Sequence, residues 1–279
     1  MIRFSKSEDF LNIRKLWDLS FPGDAAFADW FFPKLFKNEN TLVYEINGEV
    51  CSVLQRLPYY LNNVGDVTYI FGACTHPSFR GRGLMAKLLE FSESIDREQG
   101  KMASILIPAE KSLFDYYMRF GYEPVFKISK KEFSYEKPKD FTSKYEFKKC
   151  SSDDATGLEG LYNKVLRDCN YVYRTREYFC VQLSMFIDLG GRAFSLYENA
   201  ELVAYAFVWS NASTIASELL FKDDESRLII CNEILKYFNV DRLEAFYFSE
   251  SDAGQDFGCI KLYQPFANHL PFKMNLMFN

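Results

Sequence analysis

The sequence predicts an α/β protein in which one fold, a mixed antiparallel and parallel sheet flanked by helices, occurs twice in tandem. Three observations favour this prediction. Apolar strands alternate with amphipathic helices, one strand–helix–strand run requires a parallel strand pair, and the same order of elements recurs in the second half of the chain. The 279 residues also exceed the usual size of one domain, so two domains are expected.

The first elements are a short strand and a helix. Residues 2–4 are apolar enough for a strand, and the polar residues 7–9 then precede a helix whose apolar side chains recur at helical spacing up to Trp17. Residues 21–24 (FPGD) are typical of a turn and end this helix.

Two hairpins follow. Residues 41–46 and 50–57 are apolar runs on either side of Asn47-Gly48, a dipeptide typical of a tight hairpin turn. A second reversal near Asn62-Asn63 leads into a strand that continues to Cys74. The sheet is therefore expected to be antiparallel up to this strand.

The next stretch contains a candidate phosphate site. A glycine loop at residues 76–83 separates the strand from an amphipathic helix that Gly100 ends. The first N–H groups of a helix have no partner within it and bind anions readily. Gly81 and Gly83 allow the backbone to come close, and Arg80 and Arg82 add charge-assisted bonds that suit a pyrophosphate. The alternative is a solvated loop that only caps the helix.

A second strand at residues 102–108 completes the strand–helix–strand run, and a helix at residues 110–119 follows it. The pairing of CTHPSFRGRGLM (residues 74–85) with YMRFGYEP (residues 117–124) resembles the GCN5-related N-acetyltransferase (GNAT) superfamily, and in particular its Eis-type (enhanced intracellular survival) members. The resemblance covers residues 2–125. One position departs from the family pattern, because Met85 stands where the family usually has Gly or Ala; a side chain directed into the core would leave the backbone donors usable.

The resemblance implies acetyl-CoA as co-substrate. Its pantetheine arm would add to the backbone of the strand before the loop, and its pyrophosphate would lie in the loop. The residues implied in this binding are Ala73, Cys74, Thr75, Arg80, Gly81, Arg82, Gly83, Leu84 and Met85.

The resemblance also implies catalytic residues. Tyr117 stands in the family's Y-x-x-x-G-[FY] pattern, whose tyrosine protonates the leaving thiolate, and Tyr116 is the neighbouring alternative. Eis-type enzymes are thought to use the C-terminal carboxylate as base, which Asn279 would supply here. Cys74 as an acylated nucleophile is less favoured, because no adjacent base activates the thiol, and His76 is expected to fix the loop.

The aromatic segment at residues 27–32 has two interpretations. In the resembled family, the region between the first two helices forms a wall of the acceptor site. Phe27, Trp30 and Phe31 would then line an amine pocket, with Asp24 or Asp29 attracting the cation. The other interpretation is ordinary core packing, which most aromatic side chains adopt.

The second half of the chain repeats the first. The hairpin at residues 197–202 matches that at 44–50, and a strand at 214–221, a helix at 228–238 and a strand at 243–248 keep the order. We place the linker at the end of the charged residues 127–140. This gives an N-terminal GNAT domain with the acetyl-CoA site (residues 1–138) and a C-terminal degenerate GNAT-like domain (residues 139–279). Acidic residues at 222–227 replace the glycine loop, so one acetyl-CoA site per chain is expected.

Composition and charge limit the function classes further. A net charge of −5 gives the surface no general positive potential that would attract nucleic acid. The two histidines and seven scattered cysteines form no metal-binding motif. The cysteines are expected to be reduced. No apolar run approaches the roughly 18 residues of a membrane span, and the N-terminus lacks a signal pattern. We therefore expect a soluble, cytoplasmic protein with no membrane partner; a homo-oligomer remains one alternative for its assembly.

The leading functional hypothesis is an acetyl-CoA-dependent N-acetyltransferase that acts on a primary amine of a small molecule or of an exposed peptide lysine. A non-catalytic acyl-CoA-binding sensor or scaffold is the first alternative. A tRNA-dependent aminoacyltransferase of doubled fold is the second, and the acidic net charge disfavours it.

Overall fold

The computed structural model describes residues 1–137, 144–248 and 254–275. The chain forms two compact units, which are described separately. Unit 1 consists of Met1–Val125 and Phe257–His269, and unit 2 consists of Phe126–Asp256 and the segment that begins at Leu270. The predicted domain boundary between residues 138 and 139 lies outside the described residues and stays a prediction.

The elements are numbered in chain order. The strands are β1 (Ile2–Phe4), β2 (Thr41–Ile46), β3 (Glu49–Leu61), β4 (Gly65–Thr75), β5 (Ala103–Leu106), β6 (Glu123–Phe133), β7 (Tyr145–Lys149), β8 (Asn170–Tyr171), β9 (Arg192–Glu198), β10 (Glu201–Ser210), β11 (Thr214–Phe221), β12 (Leu243–Tyr247), β13 (Gln255–Leu262) and β14 (Phe272–Lys273). The α-helices are α1 (Phe10–Ser20), α2 (Ala25–Lys34), α3 (Leu84–Glu98), α4 (Ser112–Met118), α5 (Ala155–Val165), α6 (Arg176–Asp188) and α7 (Asp224–Phe238).

The sheet of unit 1 has the strand order β1-β2-β3-β4-β5-β13. Its pairings are antiparallel except for β4 with β5, which are parallel and connected through α3. Asn47 and Gly48 both have positive φ, as a tight hairpin turn between β2 and β3 requires. The predicted hairpins and the parallel crossover are thus confirmed.

Helices cover both faces of this sheet. Neighbouring residues of a strand point to opposite faces. On β3, Leu54 joins the core beneath α3, whereas the amide of Gln55 lies near Gly72 on the face that carries Trp17 of α1. Leu84, Met85, Leu88 and Leu89 give α3 its buried stripe. This stripe holds the start of α3 next to the end of β4.

The second half of α3 is held by a buried polar network. Asp96 is fully buried and accepts hydrogen bonds from Arg56 (2.5 Å) and Thr68 (2.6 Å) with Oδ1 and from the Tyr263 hydroxyl (2.8 Å) with Oδ2. Arg56 also donates to Ser92 of α3. One carboxylate therefore connects α3 with β3, β4 and the residue that follows β13.

Unit 2 repeats this architecture with the strand order β7-β9-β10-β11-β12-β6. Its one parallel pair within this sheet is β11 with β12, joined through α7, and the predicted strand at residues 214–221 has the bounds of β11. A short parallel pair, β8 with β14, stands apart. In the core of unit 2, Arg174 is fully buried and binds both carboxylate oxygens of Glu218.

Each unit takes one strand of its main sheet from the other half of the sequence. β13 pairs with β5 in unit 1, although it follows all the other strands of both sheets in the sequence. β6 pairs with β12 in unit 2. Residues 127–133, the first part of the charged stretch that precedes the predicted linker, thus belong to a strand in which Phe126, Ile128 and Phe133 are buried. Exposed lysines between these buried residues interrupt the hydrophobic pattern, so the sequence did not predict this strand.

Candidate functional site

The candidate site lies at the end of β4, where the sheet is irregular. The register between β3 and β4 shifts between Val53 and Gln55. On the other side, the pairing of β4 with β5 ends at Ile70 and Leu106, while β4 itself continues to Thr75. Residues 71–75 thus extend beyond the paired part of β5, and Ala73, Cys74 and Thr75 belong to this extension. A linear ligand can add to a strand edge of this kind through backbone hydrogen bonds.

The glycine loop after β4 has the conformation that an anion site requires. A single 3₁₀ turn (Pro77–Phe79) leads to Gly81 and Gly83, whose φ angles are +75° and +71°. A Cβ atom at either glycine would meet nothing within 4 Å, so the need for glycine is conformational and not steric. Gly83 precedes α3 without any side-chain cap. The first N–H groups of α3 therefore remain available for an anion.

Both arginines of the loop are exposed and held near it. Arg80 donates from Nε to the carbonyl of Thr75 (3.1 Å), and Arg82 donates from Nη2 to the carbonyl of Ser78 (3.2 Å). The guanidinium of Arg82 also lies 4.9 Å from the ring centroid of Phe79. A guanidinium has five N–H donors, so both arginines keep donors for a phosphate.

The first residues of α3 point away from the loop. Leu84 and Met85 are 5% and 9% exposed, and Met85 packs in the core cluster with Leu42 and Leu54. The departure from the family pattern at Met85 is therefore accommodated in the core, and the backbone donors above it are not obstructed by this side chain.

Tyr117 of α4 lies close to β4. It is 8% exposed and packs against the rings of Tyr116 and Tyr122 at 5.3 and 5.8 Å. Burial raises the pKa of the Tyr117 phenol well above its usual value, and the nearby Cys74 thiol adds to the rise. The phenol is therefore neutral at physiological pH. Tyr116 is half-buried, so its hydroxyl lies in different surroundings.

The structure gives Cys74 and His76 structural roles. Burial raises the pKa of the Cys74 thiol to about 12, which leaves almost no thiolate at neutral pH. His76 accepts a hydrogen bond from the Ser78 N–H at Nδ1 (3.3 Å). This bond caps the 3₁₀ turn and agrees with the loop-fixing role expected for His76.

The aromatic residues of α2 mainly build core. Phe31 is fully buried, Trp30 is 7% exposed and Phe27 is partly exposed. Asp29 is bonded to Arg14 (2.8 Å), whereas Asp24 is exposed at the start of α2. The core interpretation thus holds for Trp30 and Phe31, and Phe27 is the member of this set that keeps an exposed part.

Three further residues were not found from the sequence. Trp17 and Gln55 each place a buried polar atom without a hydrogen-bond partner close to the irregular part of β4, and the Ser20 hydroxyl interacts with the Cys74 thiol. Trp17 appears in the sequence only as one apolar position of a helix, and nothing in the pattern of β3 marks Gln55. Burial of their polar atoms depends on tertiary packing, which sequence spacing does not reveal.

Asn279 lies outside the described residues, so its catalytic role stays a prediction.

In unit 2, the start of α7 is capped by its own residues, because Asp223 accepts from the Ser226 N–H (2.8 Å) and Asp224 pairs with Arg227. This helix start is occupied by carboxylates, as the acidic sequence predicts, and it is unsuited to a phosphate.

Other features of the described residues bear on function class. All seven cysteines lie in the described ranges, and none of them forms a disulfide. Within residues 1–137, 144–248 and 254–275, no three His, Cys, Asp or Glu side chains come together in a metal-binding arrangement. None of the helices described has both the length and the apolar character of a membrane span.

The family comparison bears on the first part of the chain. Residues 1–125 match the model of the acetyltransferase (GNAT) domain. This part of the chain is similar to a GNAT domain. It contains β4, the glycine loop, α3 and Tyr117, so the site lies within the matched residues. A search of curated proteins found no match to the sequence.

Solved structures extend the likeness to both units. A probable N-acyltransferase from Enterococcus faecalis V583 is 15% identical with a TM-score of 0.77, over 94% of this chain and 72% of that one. Eis1 from Mycobacterium abscessus is 16% identical with a TM-score of 0.68, over 94% and 73% of the two chains. A tandem GNAT protein from the clavulanic acid biosynthesis pathway is 11% identical with a TM-score of 0.56, over 96% and 100%. At these identities the likeness concerns the fold, and it confirms the predicted tandem GNAT architecture.

Proposed function

We propose that the protein is an acetyl-CoA-dependent N-acetyltransferase that acetylates a primary amine of a small molecule or of an exposed peptide lysine. The observation that carries the proposal is the extension of β4 beyond β5, followed directly by a glycine loop and an uncapped helix start. A strand edge for a pantetheine arm and an anion site for its pyrophosphate thus follow each other along the chain. The GNAT domain match over the same residues supports it.

In the proposed reaction, the neutral amine attacks the carbonyl carbon of the thioester. A C–N bond forms, the C–S bond breaks, and the amine loses one proton while the coenzyme A sulfur gains one. Backbone N–H groups of β4 near Cys74 would stabilise the oxyanion that develops on the carbonyl. Tyr117 would donate the proton to sulfur, and Asn279, through its terminal carboxylate, is the proposed base.

The environment of β4 supports Tyr117 as the proton donor. A phenol of raised pKa is by itself a weaker acid than a phenol in water. The coenzyme A thiolate, however, would leave into the same apolar surroundings, which raise the pKa of the neighbouring Cys74 thiol from 9.0 to about 12. Desolvation thus destabilises phenolate and thiolate alike. The difference between the pKa of the phenol and that of the thiol then stays close to its value in water. The equilibrium of proton transfer from phenol to thiolate is therefore little changed.

The test combines binding and turnover. Isothermal titration calorimetry with acetyl-CoA measures binding, and thiol release with a panel of primary amines measures transfer. We expect acetyl-CoA to bind at micromolar concentration and thiol release to depend on the amine. No binding of coenzyme A or acetyl-CoA at millimolar concentration would refute the proposal. Tight binding without turnover on any amine would instead support the acyl-CoA sensor.

A further inference from the structure

A cavity separate from the proposed acetyl-CoA site lies in unit 1, between the middle of α3 and the turn that follows α4. Its volume is about 250 Å³. The side chains that supply its charges and its rings are Glu90, Glu93, Arg119, Phe120, Tyr122 and Lys261. Glu90 and Glu93 lie about 10–15 Å along the helix axis from Gly83. The cavity is therefore distant from the helix start that the glycine loop leaves open.

The charges of the cavity are divided between its walls. α3 contributes two carboxylates, Glu90 and Glu93, which are neighbours on the helix surface because they are three positions apart. The other walls contribute two cations, Arg119 from the turn after α4 and Lys261 from β13. The cavity thus has a negative side and a positive side, and its formal charges cancel.

One acid–base pair is already formed within the cavity. Lys261 donates from Nζ to Oε2 of Glu93, and its side chain crosses Gly121, where a Cβ atom would lie 3.4 Å from Cε of the lysine. Burial raises the pKa of the Glu93 carboxyl, but hydrogen bonds from Lys261 and Arg97 outweigh burial and hold that pKa below its ordinary value. Glu93 is therefore ionised at neutral pH, and the pair connects β13 with α3.

The other two charges are unpaired. Glu90 and Arg119 are exposed, and neither side chain forms an ion pair or a hydrogen bond with another residue that the structure describes. A cationic ligand would be attracted by Glu90 and repelled by Arg119, and an anionic ligand would meet the reverse. A zwitterion satisfies both side chains, because its ammonium and its carboxylate can face different walls.

The floor of the cavity is apolar. Leu89 and Tyr122 are buried, and Phe120 is half-buried. The Tyr122 hydroxyl is bonded to Ser104 (2.7 Å), so it is not a free donor for a ligand. A volume of about 250 Å³ corresponds to about eight waters at roughly 30 Å³ each. The space therefore suits a ligand of the size of one amino acid, with a short apolar side chain against the floor.

From this separation of charge over an apolar floor we infer a binding site for a free α-amino acid with an apolar side chain, such as leucine or methionine. Its ammonium group donates to Glu90 and Glu93. Its carboxylate accepts hydrogen bonds from Arg119, whose planar guanidinium matches a carboxylate, and its side chain packs on the apolar floor. The inference does not depend on the proposed function, because the site uses none of the residues assigned to acetyl-CoA or to catalysis.

Calorimetry on the full chain tests the class of ligand. L-Leucine is titrated beside two analogues that each lack one charged group: isopentylamine, without the carboxylate, and 4-methylpentanoate, without the ammonium. We expect leucine to bind with a Kd in the millimolar range or below, and each analogue to bind at least tenfold more weakly. No saturable binding of leucine or methionine at tens of millimolar would overturn the inference, as would equal binding of leucine and either analogue.

Glu90→Gln and Arg119→Gln locate the site. Each removes one unpaired charge at an exposed position, so we expect the Kd for leucine to rise about tenfold while the melting temperature of the free protein is unchanged. Glu98→Gln and Lys111→Gln are the matched controls, since both residues are exposed at the ends of the same helices and do not line the cavity. Both control variants should bind leucine with unchanged affinity.

The variants also decide whether leucine binds elsewhere. If all four variants keep the affinity of the unchanged protein, leucine occupies another site, such as the one proposed for the acceptor amine, and the inference is overturned. It is also overturned if the control variants lose as much affinity as Glu90→Gln and Arg119→Gln. A failure of acetyl-CoA to bind would refute the proposed function and leave the amino-acid site unaffected.

Discussion

At the scale of single residues, Tyr117 carries the most direct prediction. Tyr117→Phe keeps the buried ring and removes only the hydroxyl that would protonate the leaving thiolate. General acid catalysis commonly contributes about 10²–10⁴-fold in rate. We therefore expect kcat to fall well over tenfold, while the Kd for acetyl-CoA measured by calorimetry stays within about twofold.

The neighbouring tyrosine provides the control for this variant. Tyr116 adjoins Tyr117 on α4, but it is only half-buried, and its hydroxyl is not expected to reach the sulfur. Tyr116→Phe should keep near-normal turnover. Equal losses in both variants would point to packing of α4, and an unchanged rate in Tyr117→Phe would remove Tyr117 from the mechanism.

The sequence predicted residues with a motif and missed those defined by packing. Gly81, Gly83 and Tyr117 could be proposed as site residues because loop chemistry and family spacing are local. The unpaired atoms of Trp17 and Gln55 arise from contacts between α1, β3 and β4, and the buried pair of Arg174 with Glu218 joins residues far apart in the sequence. No local pattern encodes such contacts.

At the scale of elements, the start of α3 depends on a left-handed residue. Gly83→Ala would force a Cβ into this conformation at a cost of about 1–2 kcal/mol, and relaxation of the loop would turn its N–H groups away from the pyrophosphate. We expect the Kd for coenzyme A to rise about tenfold or more in calorimetry. Gly100, after the other end of α3, has the same φ of +71° and equally open surroundings. Gly100→Ala should thus lose similar stability and keep its affinity.

The other half of α3 depends on Asp96. Asp96→Ala would leave the Arg56 guanidinium, 5% exposed, without its main partner. Removal of one partner from a buried ion pair typically costs about 3–5 kcal/mol. We expect the free energy of unfolding from urea titration to fall by that amount. The double variant Arg56→Met/Asp96→Leu should recover part of the loss, and a fall below about 1 kcal/mol in the single variant would show that the network adds little.

At the scale of the whole molecule, the sequence predicted the order of elements and the duplication, but it did not predict the strand exchange. The hydrophobic pattern of residues 255–262 is compatible with a strand, yet strand partners are set by non-local pairing. Nothing in the pattern distinguishes β5 from β12 as a neighbour. The sequence therefore suggested a division into consecutive halves, whereas unit 1 includes Phe257–His269.

The exchange predicts how fragments behave. A fragment of residues 1–138 lacks β13, which contributes the fully buried Cys259 and the buried Ile260 to the sheet of unit 1. It would also lose the bond from Tyr263 to Asp96. We expect this fragment to show no cooperative thermal unfolding by circular dichroism. Residues 1–125 joined to 255–269 by a flexible Gly/Ser linker should recover it.

The place of β13 in the sequence also has a consequence for biosynthesis. Domains generally mature in the order in which they leave the ribosome, but unit 1 cannot close its sheet until residues 255–262, which form β13, have been translated. Unit 1 begins first, yet its sheet is completed only after all the strands of the unit 2 sheet have been made. A nascent chain halted before residue 255 would expose the open side of β5 and would leave unit 1 without its last strand.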